Sequence, residues 1–205
     1  MTFDLFVTAF VTIFLVIDPI GLLPFYIALT SEHTKTERRG IALRSTGISL
    51  AVLLLFAFAG DQILQGIGIG MPAFRIAGGV LLFMTAVDML FEKRAERRGN
   101  QTEASDRPDP SVFPLATPLI AGPGSIAAVI LLAGDGADRV QALSITLGAL
   151  FLVLALVLAL FFLAGPVERL LGKVGINVVT RLLGMLLAAL AVQFVVDGMH
   201  GLGVV

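Results

Sequence analysis

Six long apolar runs govern what this 205-residue chain can fold into. A helix that crosses a lipid bilayer needs about 20 mostly apolar residues. Runs of this kind cover residues 3–29, 41–60, 71–91, 112–134, 140–164 and 176–198. Only 14% of the residues are charged, against about 25% in a soluble domain, which excludes soluble and disordered proteins. The pattern predicts an all-α polytopic membrane protein with six transmembrane helices in a lipid bilayer.

Segment 92–111 divides the apolar runs into two sets of three. Ten of its 20 residues are charged, and it contains Pro108 and Pro110, a composition typical of a linker. We therefore expect a first three-helix unit at 1–91, a charged linker at 92–111 and a second three-helix unit at 112–205, all within one integrated membrane domain.

The distribution of basic residues predicts the orientation. Twelve of the 14 Lys and Arg residues lie in or beside the loops that follow spans 1, 3 and 5, and only Arg75 and Arg139 lie at the other end. By the positive-inside rule, these three loops, including the 92–111 linker, face the cytoplasm and both termini lie outside. The net charge of −1 gives no electrostatic reason to expect nucleic acid as a partner.

The two halves of the chain resemble each other weakly at a shift of about 105 residues. Residues 75–78 (RIAG) align with 181–184 (RLLG), and Asp18-Pro19 aligns with Gly122-Pro123. Because each half has three spans, the copies cross the membrane in opposite senses, which is the pattern of two inverted three-helix repeats. Chance similarity between Leu- and Gly-rich helices is the alternative, and the matched breaks in spans 1 and 4 argue against it.

Those breaks predict discontinuous helices near the middle of spans 1 and 4. Proline lacks the N–H that a helix interior needs and suits the first helical position. We expect each helix to stop before the break and restart at Pro19 and at Pro123, with Asp18 and Gly122 as N-caps. Unpaired backbone groups are costly in hydrocarbon, so paired breaks indicate a binding site, although a simple kink is the alternative at either one alone.

The residues at the breaks suggest what such a site would bind. Asp18 is the only acid deep within an apolar run, which favours a proton or cation relay, or a partner for a substrate ammonium, over a purely structural N-cap. The Gly-rich helix start after the second break suits a carboxylate. Together they fit a small zwitterion such as an amino acid better than a sugar or a bulky drug, and the alternative is that the two helix starts bind an ion or water. The predicted substrate-binding residues are Asp18, Pro19, Gly21, Ala121, Gly122, Pro123, Gly124 and Ser125, and Asp18 is also the predicted coupling residue.

Other chemistry finds little support in the sequence. The chain has no Cys and no H-E-x-x-H, G-x-S-x-G or phosphate-binding motif, so we expect no enzyme activity, cofactor or metal site. Segment 150–163 is wholly apolar and predicts that span 5 faces lipid. Small-residue faces are compatible with a homodimer but do not specify one.

The two break motifs also carry a family resemblance. Residues 18–24 (DPIGLLP) and 118–125 (PLIAGPGS), together with the six runs and the charged linker, closely resemble the MarC family of bacterial and archaeal inner-membrane proteins. The resemblance implies a LysE-superfamily-like transporter of small neutral amino acids such as glycine and alanine, coupled to a proton or a cation such as sodium. The alternatives are an exporter of a cation or another small solute, and a membrane scaffold that transports nothing.

Overall fold

The computed structural model describes residues 2–91, 109–134 and 139–204, and within these ranges every regular element is helical. The all-α prediction is therefore confirmed for the described part of the chain. Residues 92–108 of the predicted linker lie outside the described residues. The helices are α1 (Thr2–Ile17), α2 (Leu23–Leu29), α3 (Lys35–Gly66), α4 (Met71–Leu90), α5 (Ser111–Ile120), α6 (Pro123–Ala133), α7 (Arg139–Phe162) and α8 (Ala164–Gly201). The segment labelled α5 has π-helical hydrogen bonding and extended backbone at Phe113 and Thr117, and α8 is interrupted at Gly172.

Four of these helices have the length and apolar composition to cross a membrane, namely α3, α4, α7 and the Val174–Gly201 part of α8. The pair α5 and α6 is bent by 55° and adds a fifth crossing if it forms one span. The first predicted run is split, since the apolar part of α1 (Phe3–Ile17) is short and α2 has only seven residues. The structure thus supports four or five of the six predicted spans.

Helix α6 lies at the centre of the bundle and packs on α1, α3, α4 and α7. Seven of its 11 residues are buried, and two of its large side chains fit against glycines of the first half. A Cβ at Gly60 would lie 2.5 Å from Ile130, and one at Gly78 would lie 2.8 Å from Leu131. Glycine at these two positions therefore lets α6 approach α3 and α4 closely.

The prediction that span 5 faces lipid is wrong for one side of α7, which is buried. Along α7, Leu150, Val153, Leu154 and Val157 are buried in the same core cluster as residues of α1 and α3, while Phe151 and Leu152 are half exposed. A helix that is apolar all round has no polar stripe to mark which side meets protein. In a bilayer both sides are apolar, so the sequence pattern does not distinguish the core face from the lipid face.

Helices α4 and α8 form the most extensive helix pair and run antiparallel. A Cβ at Gly79 would lie 2.8 Å from the Ala191 carbonyl oxygen and 3.1 Å from the Val195 nitrogen. A Cβ at Gly184 would lie 3.2 Å from the Ala86 carbonyl oxygen and 3.5 Å from the Leu90 nitrogen. The two sets of contacts correspond at a shift of 105 residues: 79 corresponds to 184, 86 to 191 and 90 to 195. Each helix therefore contacts the other through a glycine at a corresponding position.

The two ends of the bundle are held by different polar contacts. At one end, Arg139 at the start of α7 pairs with Asp61 of α3 at 3.1 Å and donates to the Phe58 carbonyl at 2.9 Å. At the other end, Arg44 of α3 pairs with Asp109 at 2.9 Å, and the first turn of α3 shares a cavity with the α7–α8 junction. The segments after spans 1 and 5, together with Asp109 at the end of the predicted linker, therefore lie at a common end of the bundle.

Candidate functional site

The first break separates α1 from α2. Helix α1 ends at Ile17 as predicted, and Asp18 then adopts a φ of +56°, a left-handed conformation that Asp tolerates better than most residues. The prediction that the helix restarts at Pro19 is wrong, because α2 begins at Leu23 with Leu22 as its N-cap. Asp18 does accept the side-chain hydrogen bond that is typical of an N-cap, from the N–H three residues on, but its positive φ departs from the usual extended backbone. A turn at 19–22 comes before α2.

Asp18 is fully buried within this turn. Its Oδ1 accepts a hydrogen bond of 3.0 Å from the Gly21 N–H, and its carbonyl accepts one of 3.1 Å from the Leu22 N–H. A Cβ at Gly21 would overlap Asp18 Oδ2 and lie 2.7 Å from the Asp18 Cγ. The carboxylate therefore occupies the space that any other side chain at position 21 would need.

The second break separates α5 from α6 and follows the sequence prediction closely. Helix α5 ends at Ile120, Gly122 is the extended N-cap (φ −93°, ψ 175°), and α6 begins at Pro123. Gly122 brings no side chain to cap the N–H groups of the new helix, and a Cβ there would lie 2.5 Å from the Pro118 carbonyl oxygen. The restart at Pro123 with Gly122 as N-cap is confirmed.

Ser125 connects the two helices of this break. Its hydroxyl donates a hydrogen bond of 2.8 Å to the Ile120 carbonyl, in a buried position. One carbonyl at the end of α5 is thereby satisfied without water. The hydroxyl proton of Ser125 is thus engaged within the protein, so the donors left for an anion at this end are the first backbone N–H groups of α6.

The structure brings the two breaks together. A Cβ at Gly124 would lie 3.3 Å from Val16 Cγ1 and 3.5 Å from Thr85 Oγ1, so the start of α6 lies against the last turn of α1 and against α4. Residues flanking both breaks, including Ile17 and Ile120, belong to one buried cluster. Of the eight predicted site residues, six are buried, Gly124 is partly buried and Pro123 is exposed.

Hydroxyl groups outside the predicted set also border this region. Ser49 of α3 donates to the Ser45 carbonyl at 2.8 Å and to the Ala116 carbonyl of α5 at 3.3 Å. Thr85 of α4, which neighbours Gly124, donates to the Leu81 carbonyl at 2.9 Å. A single hydroxyl within an apolar run carries no sequence signal that separates a site residue from one that only joins helices.

The arrangement combines a buried carboxyl group with a helix start whose N–H groups have no side-chain cap. A cationic group is attracted to the first, and an anionic group to the second. Within the described ranges, no three His, Asp or Glu side chains are grouped so that they could hold a metal ion. The chemistry that these residues offer is the binding of small charged groups.

Comparison with known proteins gives a consistent result. Residues 3–202 match the model of a family described as "MarC family integral membrane protein". A UPF0056 membrane protein of Archaeoglobus fulgidus is 39% identical, covering 95% of this chain and 92% of its own length. One from Methanocaldococcus jannaschii is 37% identical, with 98% of each chain covered. The Escherichia coli K12 UPF0056 inner membrane protein YhgN is 34% identical, with 95% of each covered. No solved structure matches this chain.

Proposed function

We propose a transport function for this chain, which belongs to the MarC family of integral membrane proteins. Its substrates in this proposal are small neutral amino acids such as glycine and alanine, moved across the inner membrane by a secondary mechanism coupled to a proton or sodium ion. It acts as a transporter and not as an enzyme. Its Escherichia coli relative YhgN is named as an inner membrane protein, which supports the inner membrane as the location.

The observation that carries the proposal is the contact between the two helix breaks. The buried Asp18 carboxyl group follows Val16 by two residues, and Val16 lies against Gly124 at the start of α6. A zwitterion between them would place its ammonium group toward Asp18 and its carboxylate toward the first N–H groups of α6. Because Ser125 donates its hydroxyl proton to Ile120, the backbone at Gly124 and Ser125 supplies the donors in this arrangement.

Alternating access follows from the proposed architecture. Counting α1 with α2 and α5 with α6 as two broken spans gives six crossings, arranged as two inverted repeats at 1–91 and 112–205. The symmetric approach of Gly79 and Gly184 in the α4–α8 pair supports this arrangement. The common end that carries the basic loops is the cytoplasmic one in this proposal, and both termini are outside. Rocking of one repeat against the other would then expose the breaks to each side in turn.

Amino acid counterflow into proteoliposomes tests the proposal directly. The wild-type protein should exchange internal unlabelled alanine for external labelled alanine, and empty liposomes should not. Asp18→Asn is the informative variant, because Asn tolerates positive φ and keeps an oxygen that accepts from the Gly21 N–H. Asp197→Asn is the matched control, since Asp197 lies in α8 and bonds to Gln193.

The outcomes separate the roles of Asp18 and the competing functions. If Asp18→Asn retains exchange but loses gradient-driven uptake, Asp18 couples transport to the ion. If both are lost in a folded protein, Asp18 binds the substrate. If the wild type exchanges no amino acid, the zwitterion proposal is wrong, and exchange of another solute or no transport at all would then favour the exporter or the scaffold.

A further inference from the structure

A cavity lies at the end of the bundle where α2 meets the start of α3, away from the buried Asp18 carboxyl group. Its volume is about 290 Å³, and it lies between the first turn of α3 and the α7–α8 junction. Tyr26 of α2 and Phe161 of α7 form an aromatic wall, with their rings parallel to within 5° and their centroids 4.2 Å apart. The Tyr26 hydroxyl donates to the Arg38 carbonyl at 2.9 Å, which fixes α2 against α3.

Three cationic side chains line one side of this cavity. Lys35, Arg38 and Arg39 share a helix face because they are three and four residues apart. Arg38 is held in place, since its guanidinium donates to the Thr30 carbonyl at 2.8 Å and to the Ser31 carbonyl at 3.2 Å. Like charges at this spacing on a helix are unfavourable, and an anion bound beside them would reduce their repulsion.

No carboxylate of the described residues forms an ion pair with any of these three cations. The acid nearest in sequence, Glu37, is engaged elsewhere, since its Oε2 accepts from the Thr34 N–H at 2.8 Å. No acidic side chain lines the cavity. The described residues therefore supply no carboxylate partner for these cations, and an anion that enters the cavity meets positive charge that is not neutralised by the protein.

The opposite side of the cavity also favours an anion, and its edge favours lipid. Ala164 and Gly165 line it at the start of α8, where Leu163 offers no side-chain cap to the first N–H groups. Phe162 and Leu163 are 47% and 54% exposed, and they continue from the cavity onto the apolar surface of α7. A ligand with an anionic head and a hydrocarbon tail matches both features.

We propose that this cavity binds the phosphate group of an anionic phospholipid, with the phosphate beside Lys35, Arg38 and Arg39 and an acyl chain along Phe162 and Leu163. Basic pockets between transmembrane helices at the cytoplasmic surface commonly hold such headgroups. A soluble phosphate ester carries the same charged group but has no hydrocarbon chain to contact the exposed Phe162 and Leu163. The site is separate from the proposed substrate site, so its test does not depend on transport.

Lipid binding to the purified protein tests the proposal. Native mass spectrometry and thermal unfolding in detergent would compare phosphatidylglycerol, phosphatidylcholine and inorganic phosphate. The variants are Lys35→Gln, Arg39→Gln and both together, which leave Arg38 and its contacts with α2 intact. Arg169→Gln is the matched control, because Arg169 is an exposed cation on α8 outside the cavity.

We expect phosphatidylglycerol to bind and raise the melting temperature, with phosphatidylcholine much weaker. Each single variant should weaken the binding of phosphatidylglycerol about fivefold and the double variant about 25-fold, since a basic residue near a membrane surface contributes about 1 kcal/mol. Arg169→Gln should bind as the wild type does. Equal binding of both lipids, or unchanged binding by the double variant, would overturn the proposal. A stabilisation by inorganic phosphate that equals that of the lipid, and that the double variant abolishes, would keep the phosphate site and assign it to a soluble ion.

Discussion

The contact between Gly21 and the Asp18 carboxyl group lends itself to a double-mutant cycle. In Gly21→Ala the new methyl group would overlap Asp18 Oδ2, so either the carboxylate moves or the turn does. Moving the carboxylate leaves the buried Gly21 N–H without its acceptor, which costs about 1–3 kcal/mol. Moving the backbone instead costs about as much in strain. We therefore expect Gly21→Ala to destabilise the protein by about 1–3 kcal/mol.

The second arm of the cycle is Gly21→Ala in an Asp18→Gly background. Glycine at position 18 accepts the φ of +56° without a steric penalty and removes the atoms that the alanine would strike. In that background Gly21→Ala should cost less than about 1 kcal/mol, because the obstacle and the hydrogen bond are both already gone. The coupling energy between the two positions is then about 1–3 kcal/mol.

Thermal unfolding in detergent, followed by circular dichroism, measures this coupling. For a chain of this size 1 kcal/mol corresponds to about 2–4 °C in melting temperature, so a coupling near 2 kcal/mol appears as a difference of about 4–8 °C. Gly47→Ala is the control, since a Cβ at Gly47 would meet nothing within 4 Å. If Gly21→Ala lowers the melting temperature equally in both backgrounds, the carboxylate does not lie over Gly21 and the description of the first break is wrong.

Three further predictions concern other parts of the bundle. Gly79→Ala should lower the melting temperature by several degrees because its Cβ would lie 2.8 Å from the Ala191 carbonyl oxygen, whereas Gly47→Ala should leave it unchanged or raise it; equal effects would contradict the close α4–α8 packing. Ser125→Ala should cost about 1–3 kcal/mol, measured in the same assay, since it leaves the buried Ile120 carbonyl without a donor; an unchanged melting temperature would contradict this role of the hydroxyl. Hydrogen bonds from the Ser111 hydroxyl and N–H, with a smaller effect from Arg44, hold the pKa of Asp109 below its ordinary value of 3.8. A lowered carboxyl pKa stabilises the fold above the ordinary value and loses this effect as the pH falls through the folded value. The melting temperature of Asp109→Asn should therefore lie below that of the wild type at neutral pH and approach it below about pH 3.8; a constant difference across that range would exclude the linkage.

The two breaks show how far sequence reasoning reaches. At Pro123 the preceding Gly122 can adopt the extended conformation of an N-cap, so the local rule for a helix start predicts the structure correctly. At Pro19 the same rule fails, because Asp18 takes a left-handed φ and a turn comes before the next helix. The left-handed conformation of Asp18 occurs in a turn in which the Gly21 N–H donates to the Asp18 carboxylate. The Asp-Pro pair alone does not predict this hydrogen bond.

Packing was harder to predict than the presence of helices. The lengths of the apolar runs predict where the helices lie. They do not predict which face of α7 is buried, because side chains that face the protein core and side chains that face lipid are equally apolar. Val153 and Val157, for example, are buried but have no sequence feature that sets them apart. The repeat was aligned from residues 75–78 and 181–184, which pairs Gly78 with Gly184. In the structure it is Gly79, and not Gly78, that lies against α8, whereas Gly78 lies against Leu131 of α6. A shift of one residue on a helix turns the side chain by about 100°, so the alignment of the two segments does not show which glycine meets α8.

The setting of α6 has a mechanical consequence. Toward the C-terminus of α6, Ile130 packs against Gly60 and Leu131 packs against Gly78. A Cβ added at either glycine would lie less than 3 Å from the side chain that it faces. At its N-terminus, Gly124 meets its neighbours at 3.3 Å or more, and Pro123 is exposed. The C-terminal half of α6 is therefore held by close contact with α3 and α4, whereas its first turn is tied to α5 by the buried hydrogen bond from Ser125 to Ile120. Any shift of the start of α6 relative to the second break has to break or carry along that hydrogen bond, so Ser125 couples the position of α6 to that of α5.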